Sequence, residues 1–203
     1  MSTRGGVRLY NSRSGRTEDL TPIRPGAISI YTCGPTVYKY AHIGNLRSFL
    51  FADVLRRTLQ YVGYRVRQVK NVTDVGHMRN DDDASAPAED RVEQAALAEG
   101  KPPQQIAGFY TAVWLEDERL LNILPADVMP KASTQIPEMI SLTQTLLDQG
   151  FAYEVHGTID YDVSAFPAYG QLSGQKLGSM RAGHRVPPAT PPPTTNLVRA
   201  GAA

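Results

Sequence analysis

The spacing of apolar positions changes twice between Ala27 and Val72. Residues 27–33 (AISIYTC) are a short β-branched and aromatic run after Pro25-Gly26, which reads as a buried strand. Gly34-Pro35-Thr36 marks a turn. From His42 the period becomes helical, with Leu46, Phe49, Leu50, Val54, Leu59 and Val62 on one stripe and Gly63 placed to cap its end. Residues 64–72 (YRVRQVKNV) then alternate as a second strand does. Strand, long helix and strand make a βαβ unit, which implies an α/β fold with a parallel sheet of the doubly wound kind.

Further along, the acidic, small-residue stretch 81–90 reads as a surface loop, followed by a helix to Glu99 that Gly100 ends. Ile106, Tyr110, Val113, Trp114, Leu120, Leu121 and Leu124 mark an amphipathic helix, with Pro125 as its stop. Thr134, with Pro137 in the first turn, opens another helix running to Gly150. Residues 151–163 alternate around His156-Gly157 and predict a hairpin. No internal repeat is present. Residues 187–203 hold five prolines and little to bury, and are expected to be extended and disordered.

Composition adds limits rather than direction. The 203 residues are 41% hydrophobic and 20% charged, as in an ordinary soluble protein. A net charge of +1 carries no global signature of nucleic-acid binding, although a local basic stripe could still serve. The single cysteine excludes an internal disulfide framework and fits a reducing cytoplasm. The first residues lack the apolar core of a signal peptide. No apolar run approaches the roughly 20 residues needed to cross a bilayer.

The sharpest chemical feature is His42-Ile43-Gly44-Asn45, at the expected start of a helix after a strand and turn. A helix amino terminus offers free N–H groups and a partial positive charge to an anion. Gly44 would let a nucleotide approach the backbone, and His42 would donate to phosphate oxygens. The plainer alternative is that His42 caps the helix and Gly44 packs. Cys33, at a strand end, reads by itself as a small core hydrophobe. Asn71 and Thr73 read as local caps of a strand end, and Thr36 and Ser48 as ordinary turn and helix residues. Arg65, Arg67 and Lys70 read as a solvated strand face, with a nucleic-acid contact as the alternative. His77, His156 and His184 lack metal-ligand spacing and read as surface or loop residues, as do Asp81, Asp82 and Asp83.

Residues 31–53 (YTCGPTVYKYAHIGNLRSFLFAD) resemble the HIGH-motif region of cysteinyl-tRNA synthetases, which are class I synthetases. Lys70-Asn71-Val72-Thr73-Asp74-Val75 resembles the same family's N-[IV]-T-D segment. Glu116-Asp117-Glu118 on to Asp127, and Phe166-Pro167-Ala168-Tyr169-Gly170-Gln171-Leu172-Ser173, resemble its connective-peptide region. The likeness runs from Val7 to Val186, and the mycothiol-pathway cysteine:amino-sugar ligase resembles the same region. It implies a Rossmann-like (HUP-type) nucleotide-binding catalytic domain, incomplete and with a connective-peptide insertion. On this reading residues 1–120 are the first half of the catalytic domain, 121–186 the connective peptide and 187–203 the tail.

The resemblance also implies chemistry: ATP-dependent activation of L-cysteine and transfer to tRNA(Cys). It places His42 and Asn45 as catalytic residues on the ATP phosphates, together with Gly44. Gly34 and Thr36 would lie against the amino acid, and Ser48, Asn71 and Thr73 against the adenylate. Cys33 would be one of four zinc ligands, with zinc binding the substrate thiolate, a sulfur-rich set that suits the metal. Mg2+ would accompany ATP. A cytoplasmic monomer without membrane contact is expected.

Two departures qualify these expectations. Asn45 stands where the motif ends in His, though Asn still donates a hydrogen bond. After Val186 there is no Cys, His or Glu, and the KMSKS lysine loop and anticodon-binding part are missing. This chain alone is therefore expected to be an inactive fragment, without cysteine-dependent ATP–pyrophosphate exchange and with weak zinc binding or none. A non-catalytic nucleotide-binding module derived from a synthetase is the remaining alternative.

Overall fold

The computed structural model describes residues 6–76, 78–79, 89–155 and 157–174. His77, Asp81, Asp82, Asp83, His156, His184 and the 187–203 tail lie outside the described residues. The elements in order are β1 (Arg8–Asn11), β2 (Arg16–Asp19), β3 (Ala27–Thr32), α1 (Ile43–Tyr61), β4 (Arg65–Lys70), β5 (Met78–Arg79) and β6 (Glu89–Asp90). They are followed by α2 (Arg91–Glu99), α3 (Pro103–Leu120), α4 (Ile136–Asp148), β7 (Ala152–Val155) and β8 (Thr158–Tyr161). The described residues form two compact units, the first of 6–9, 17–76 and 90–135, the second of 10–16, 78–79, 89, 136–155 and 157–174.

The first unit is built on the expected βαβ. β3 and β4 pair in parallel, in register from Ala27 opposite Arg65 to Thr32 opposite Lys70, with α1 as the crossover. A third strand-like segment, unannounced by the sequence, runs parallel along the far edge of β4. Lys70 N–H donates to Val128 O at 3.0 Å, Val72 N–H to Pro130 O at 2.8 Å and Ala132 N–H to Val72 O at 2.9 Å. Pro130 has no N–H to give, which suits an edge position. Phe49 of α1, Val72, Val92 and Ala96 of α2, and Ile106 and Trp114 of α3 form the buried core, with the Phe49 and Trp114 rings 5.8 Å apart.

Four details differ from the sequence expectation. On α1, Leu50 and Val54 are exposed, while Asp53 and Arg56 are buried beside Phe49, Ala52 and Leu59. Asp53 accepts from Arg57 Nε at 2.6 Å and from Leu124 N–H at 2.9 Å. Hydrogen bonding lets these charged groups occupy positions that hydrophobicity alone assigns to Leu and Val. Lys70 is buried rather than on a solvated face, whereas Arg65 and Arg67 are exposed. α3 ends at Leu120, not at Pro125. Asn122 takes φ 55°, its N–H donates to Arg119 O, and Ile123 N–H donates to Glu118 O. That pair of hydrogen bonds around the left-handed Asn122 stops the helix before the proline is reached. Gly63 ends α1 by the same pair of bonds, as the sequence suggested. Finally, Asp90 caps α2 by accepting from Val92 and Glu93 N–H, and it also accepts from Gly76.

The second unit holds α4 and an antiparallel hairpin of β7 and β8, in which Ala152 faces Tyr161 and Val155 faces Thr158. Asp162 then caps a short 3-10 turn over Val163–Ala165.

Candidate active site

The parallel topology decides where chemistry can occur. In a βαβ unit the crossover helix begins at the carboxyl end of the first strand, and the same end of the second strand lies beside it. Cys33, Gly34 and Thr36 follow β3, while His42, Gly44, Asn45 and Ser48 open α1. Asn71 and Thr73 follow β4, so the fold gathers all of these residues at one end of the sheet. All belong to the first unit.

The β3 and β4 ends are locked by one side chain. Asn71 Oδ1 accepts the Gly34 N–H at 2.9 Å and the Tyr31 hydroxyl at 3.0 Å, and its Nδ2 donates to Thr73 Oγ1 at 3.1 Å. This is the strand-end role expected of Asn71, extended across to the neighbouring strand. A Cβ on Gly34 would stand 1.7 Å from the Asn71 carbonyl oxygen, so no other residue fits there without moving the backbone. The lock continues upward: Thr73 N–H donates to Pro35 O at 3.0 Å, and Val37 N–H to Thr73 O at 3.1 Å. Thr36 and Thr73 are bridge partners.

At α1, His42 is the N-cap. Its backbone is extended, with φ −99° and ψ 169°. Nδ1 accepts the Gly44 N–H at 3.0 Å, and Asn45 Oδ1 accepts the His42 N–H at 3.1 Å, completing a capping box. A Cβ on Gly44 would lie 2.7 Å from His42 Cε1, so glycine gives the ring its place. The amides of Asn45 and Leu46 both point to the His42 carbonyl. The helix terminus is therefore less open than expected: the capping box already satisfies the Gly44 amide. What it presents is the ring Nε2–H, because a neutral imidazole accepting at Nδ1 carries its proton at Nε2. The first turn contains no acidic side chain to cancel the helix dipole. Ser48 Oγ donates back to Gly44 O at 3.2 Å.

Cys33 is exposed, so the core-hydrophobe reading of the lone thiol is corrected. Its Sγ lies 3.5 Å from Gly34 O. Among the described residues no three His, Cys, Asp or Glu side chains are grouped to hold a metal. Zinc takes four donors, or three and a substrate. The described residues therefore do not fit a zinc site, and Cys33 alone supplies one donor.

Sequence reasoning missed the support beneath the site. Gln68 is buried and donates from Nε2 to Thr32 Oγ1 at 3.2 Å, while Arg56 Nη1 donates to Gln68 Oε1 at 3.3 Å and to Pro125 O at 2.8 Å. Asp127 ties this group to the third strand by accepting from Gln68 N–H at 2.7 Å. Only the alternation of β4, which turns Gln68 and Lys70 to the same face, hinted at it. No helix among the described residues is long and apolar enough to cross a membrane.

A family model described as tRNA synthetases class I (C) catalytic domain matches residues 19–190. The chain is 41% identical over 180 residues to a cysteine–tRNA ligase of Treponema denticola, covering 89% of this chain and 36% of that protein. It is 42% identical over 181 residues to a cysteine–tRNA ligase of Thermus thermophilus, covering 89% and 37%. The chain thus spans little more than a third of the curated relatives it matches. Among solved structures, a putative arginyl-tRNA synthetase from Campylobacter jejuni aligns with a TM-score of 0.44 at 17% identity, covering 72% of this chain and 40% of that one. On the family match over most of its length, the chain belongs to the class I (C) tRNA synthetase catalytic-domain family.

Proposed function

We propose that the carboxyl end of the β3–β4 pair binds ATP and L-cysteine in a cysteine–tRNA ligase. The observation that carries this reading is the His42 ring, whose Nδ1 accepts the Gly44 N–H and so leaves Nε2 as the donor nitrogen, in a chain with relatives named cysteine–tRNA ligase. A cysteine carboxylate oxygen attacks the α-phosphorus of ATP, the bond to the bridging oxygen breaks, and pyrophosphate leaves. A terminal hydroxyl of tRNA(Cys) then attacks the carbonyl carbon of the adenylate, and AMP leaves.

Such a reaction needs positioning and charge stabilisation rather than a covalent enzyme intermediate. His42 Nε2–H donates to the phosphate oxygens as charge builds. Asn45 acts there mainly by fixing His42 through its backbone amide. Gly34 and Thr36 form the amino-acid side, and Ser48, Asn71 and Thr73 border the adenylate. Mg2+ enters with the nucleotide. Cys33 supplies one of the four donors zinc needs and is proposed as a zinc ligand only together with donors outside the described residues, and none of the steps above depends on it. The relatives' names favour tRNA over an amino sugar as acceptor. A cytoplasmic, monomeric enzyme completes the reading.

Titrating this 203-residue chain with ATP and Mg2+ tests it. Binding is expected, weakened at least about tenfold by His42→Ala, as for loss of a hydrogen bond to a charged group. Absence of nucleotide binding, or equal binding by the variant, overturns the reading.

A further inference from the structure

Lys70 is 1% exposed, and its Nζ meets Glu118 Oε1 at 2.6 Å. The ammonium also lies 5.1 Å from the Phe49 ring centroid and 5.5 Å from that of Trp114. Burying a charge pair so completely is a poor route to stability, since apolar residues of similar volume commonly do as well or better. The geometry supplies a different reason. The Lys70 stem lies directly under Gly34, its Cγ 3.3 Å from where a Cβ on that glycine would stand. The next residue, Asn71, holds the Gly34 amide. The Lys70 backbone is fixed to Val128 on one side, and its head to α3 on the other.

We infer that Lys70 and Glu118 are a positioning pair for the amino-acid side of the site. Through Glu118, α3 sets the level of the Gly34–Asn71 floor. Neither residue touches substrate. This rests on the function proposed above. The His42 end, which meets the ATP phosphates, is held by its own capping box, so the pair acts on the Gly34–Asn71 floor and the aminoacyl part of the adenylate rather than on the phosphate contacts.

The decisive variant is Glu118→Asp, which keeps both charges and withdraws the carboxylate by one methylene. In this chain it should unfold cooperatively near the wild-type temperature, with the lone Trp114 still reporting a buried indole. Hydrogen exchange at the Gly34 amide should quicken about tenfold while that of the α1 amides holds. The dissociation constant of a non-hydrolysable cysteinyl sulfamoyl adenylate should rise about tenfold, and that of ATP should stay within about twofold. If Glu118→Asp does not fold, the same measurements on Lys70→Met with Glu118→Leu decide the matter, since an apolar pair is expected to fold. Unchanged Gly34 exchange overturns the inference, as does an equal loss of affinity for both ligands, which would signal general damage. If the wild-type chain binds neither ligand, the functional reading falls, and the positioning role is judged on Gly34 exchange alone.

Discussion

The Nδ1 of His42 accepts the backbone N–H of Gly44 at 3.0 Å, and that bond gives one ring two separable duties. One nitrogen caps the helix, and the other is free to meet a phosphate. Asn is at least as good an N-cap as most residues, whereas Ala is a poor one. His42→Asn should therefore leave unfolding free energy within about 0.5 kcal/mol of wild type, and His42→Ala should lower it by about 1 kcal/mol. Both should lose ATP affinity by about tenfold or more, because both lack the Nε2 donor. Denaturant unfolding and nucleotide titration of the two variants check this. An Asn variant that binds ATP normally would rule out the donor role.

Gly34 and Gly44 are both crowded, but by different things. At Gly34 a Cβ meets backbone, the Asn71 carbonyl oxygen at 1.7 Å. At Gly44 it meets the end of a side chain, His42 Cε1 at 2.7 Å, which can swing aside. Gly34→Ala should cost about 1–3 kcal/mol or more, as overpacking against rigid neighbours does. Gly44→Ala should cost mainly the cap, about 1 kcal/mol. Urea titrations of the two variants give the order directly, and a Gly34→Ala protein as stable as Gly44→Ala would contradict the close approach.

The sequence carried the βαβ unit, the glycine ends of α1 and α2, and the final hairpin, because each rests on local chemistry: a change of apolar period or a left-handed stop. It did not carry features that depend on a distant partner. Lys70 looks like a surface lysine until Glu118, 48 residues away, arrives beside it. Asp53 and Arg56 look like the polar face of α1 until Leu124, Pro125 and Asp127 satisfy them. The third strand is short of apolar alternation and contains Pro130, so only pairing with β4 reveals it. At the site, the motif residues were legible singly. The use of Asn71 to join both strand ends, and of Asn45 to hold His42, required the backbone geometry.

Asp162 should make the second unit sensitive to acid. Its carboxylate accepts from the Ser164 hydroxyl at 2.6 Å and from the Ser164 N–H at 2.9 Å. The hydroxyl bond foremost, with help from the Ser164 and Ala165 amides, holds its pKa below the ordinary value of 3.8. A depressed folded-state pKa stabilises the fold above the unfolded value and loses that contribution as pH falls through the folded one. Asp162→Asn should thus be less stable than wild type at neutral pH, and the difference should shrink below about pH 4 and vanish in stronger acid. Thermal melts of both proteins from neutral pH downward measure it. A difference independent of pH would mean that the charge is not what stabilises the turn.

Arg56 and Asp127 are partners of unequal consequence. Their contact, 3.3 Å from Nη2 to Oδ1, joins a side chain only 9% exposed to one 39% exposed. Removing the buried member leaves Pro125 O and Gln68 Oε1 without their donor and opens a cavity beneath the sheet. Removing the exposed member lets water reach the Arg56 Nη2 it had held but leaves the N–H of buried Gln68 without its acceptor, and Arg56 keeps its bonds to Pro125 and Gln68. Arg56→Ala is therefore expected to cost about 2–5 kcal/mol, through the cavity and the two acceptors it leaves without a donor. Asp127→Ala should cost about 1–2 kcal/mol, chiefly through the Gln68 amide it leaves unpaired. The larger loss should also reach the candidate site. Gln68 steadies Thr32, and Thr32 precedes Cys33, so the Cys33 thiol should react with a maleimide at a changed rate in the Arg56 variant and near the wild-type rate in the Asp127 variant. Equal costs for the two substitutions would show that solvent already reaches Arg56, and that the network beneath β3 and β4 is not what aligns the strand end carrying Cys33.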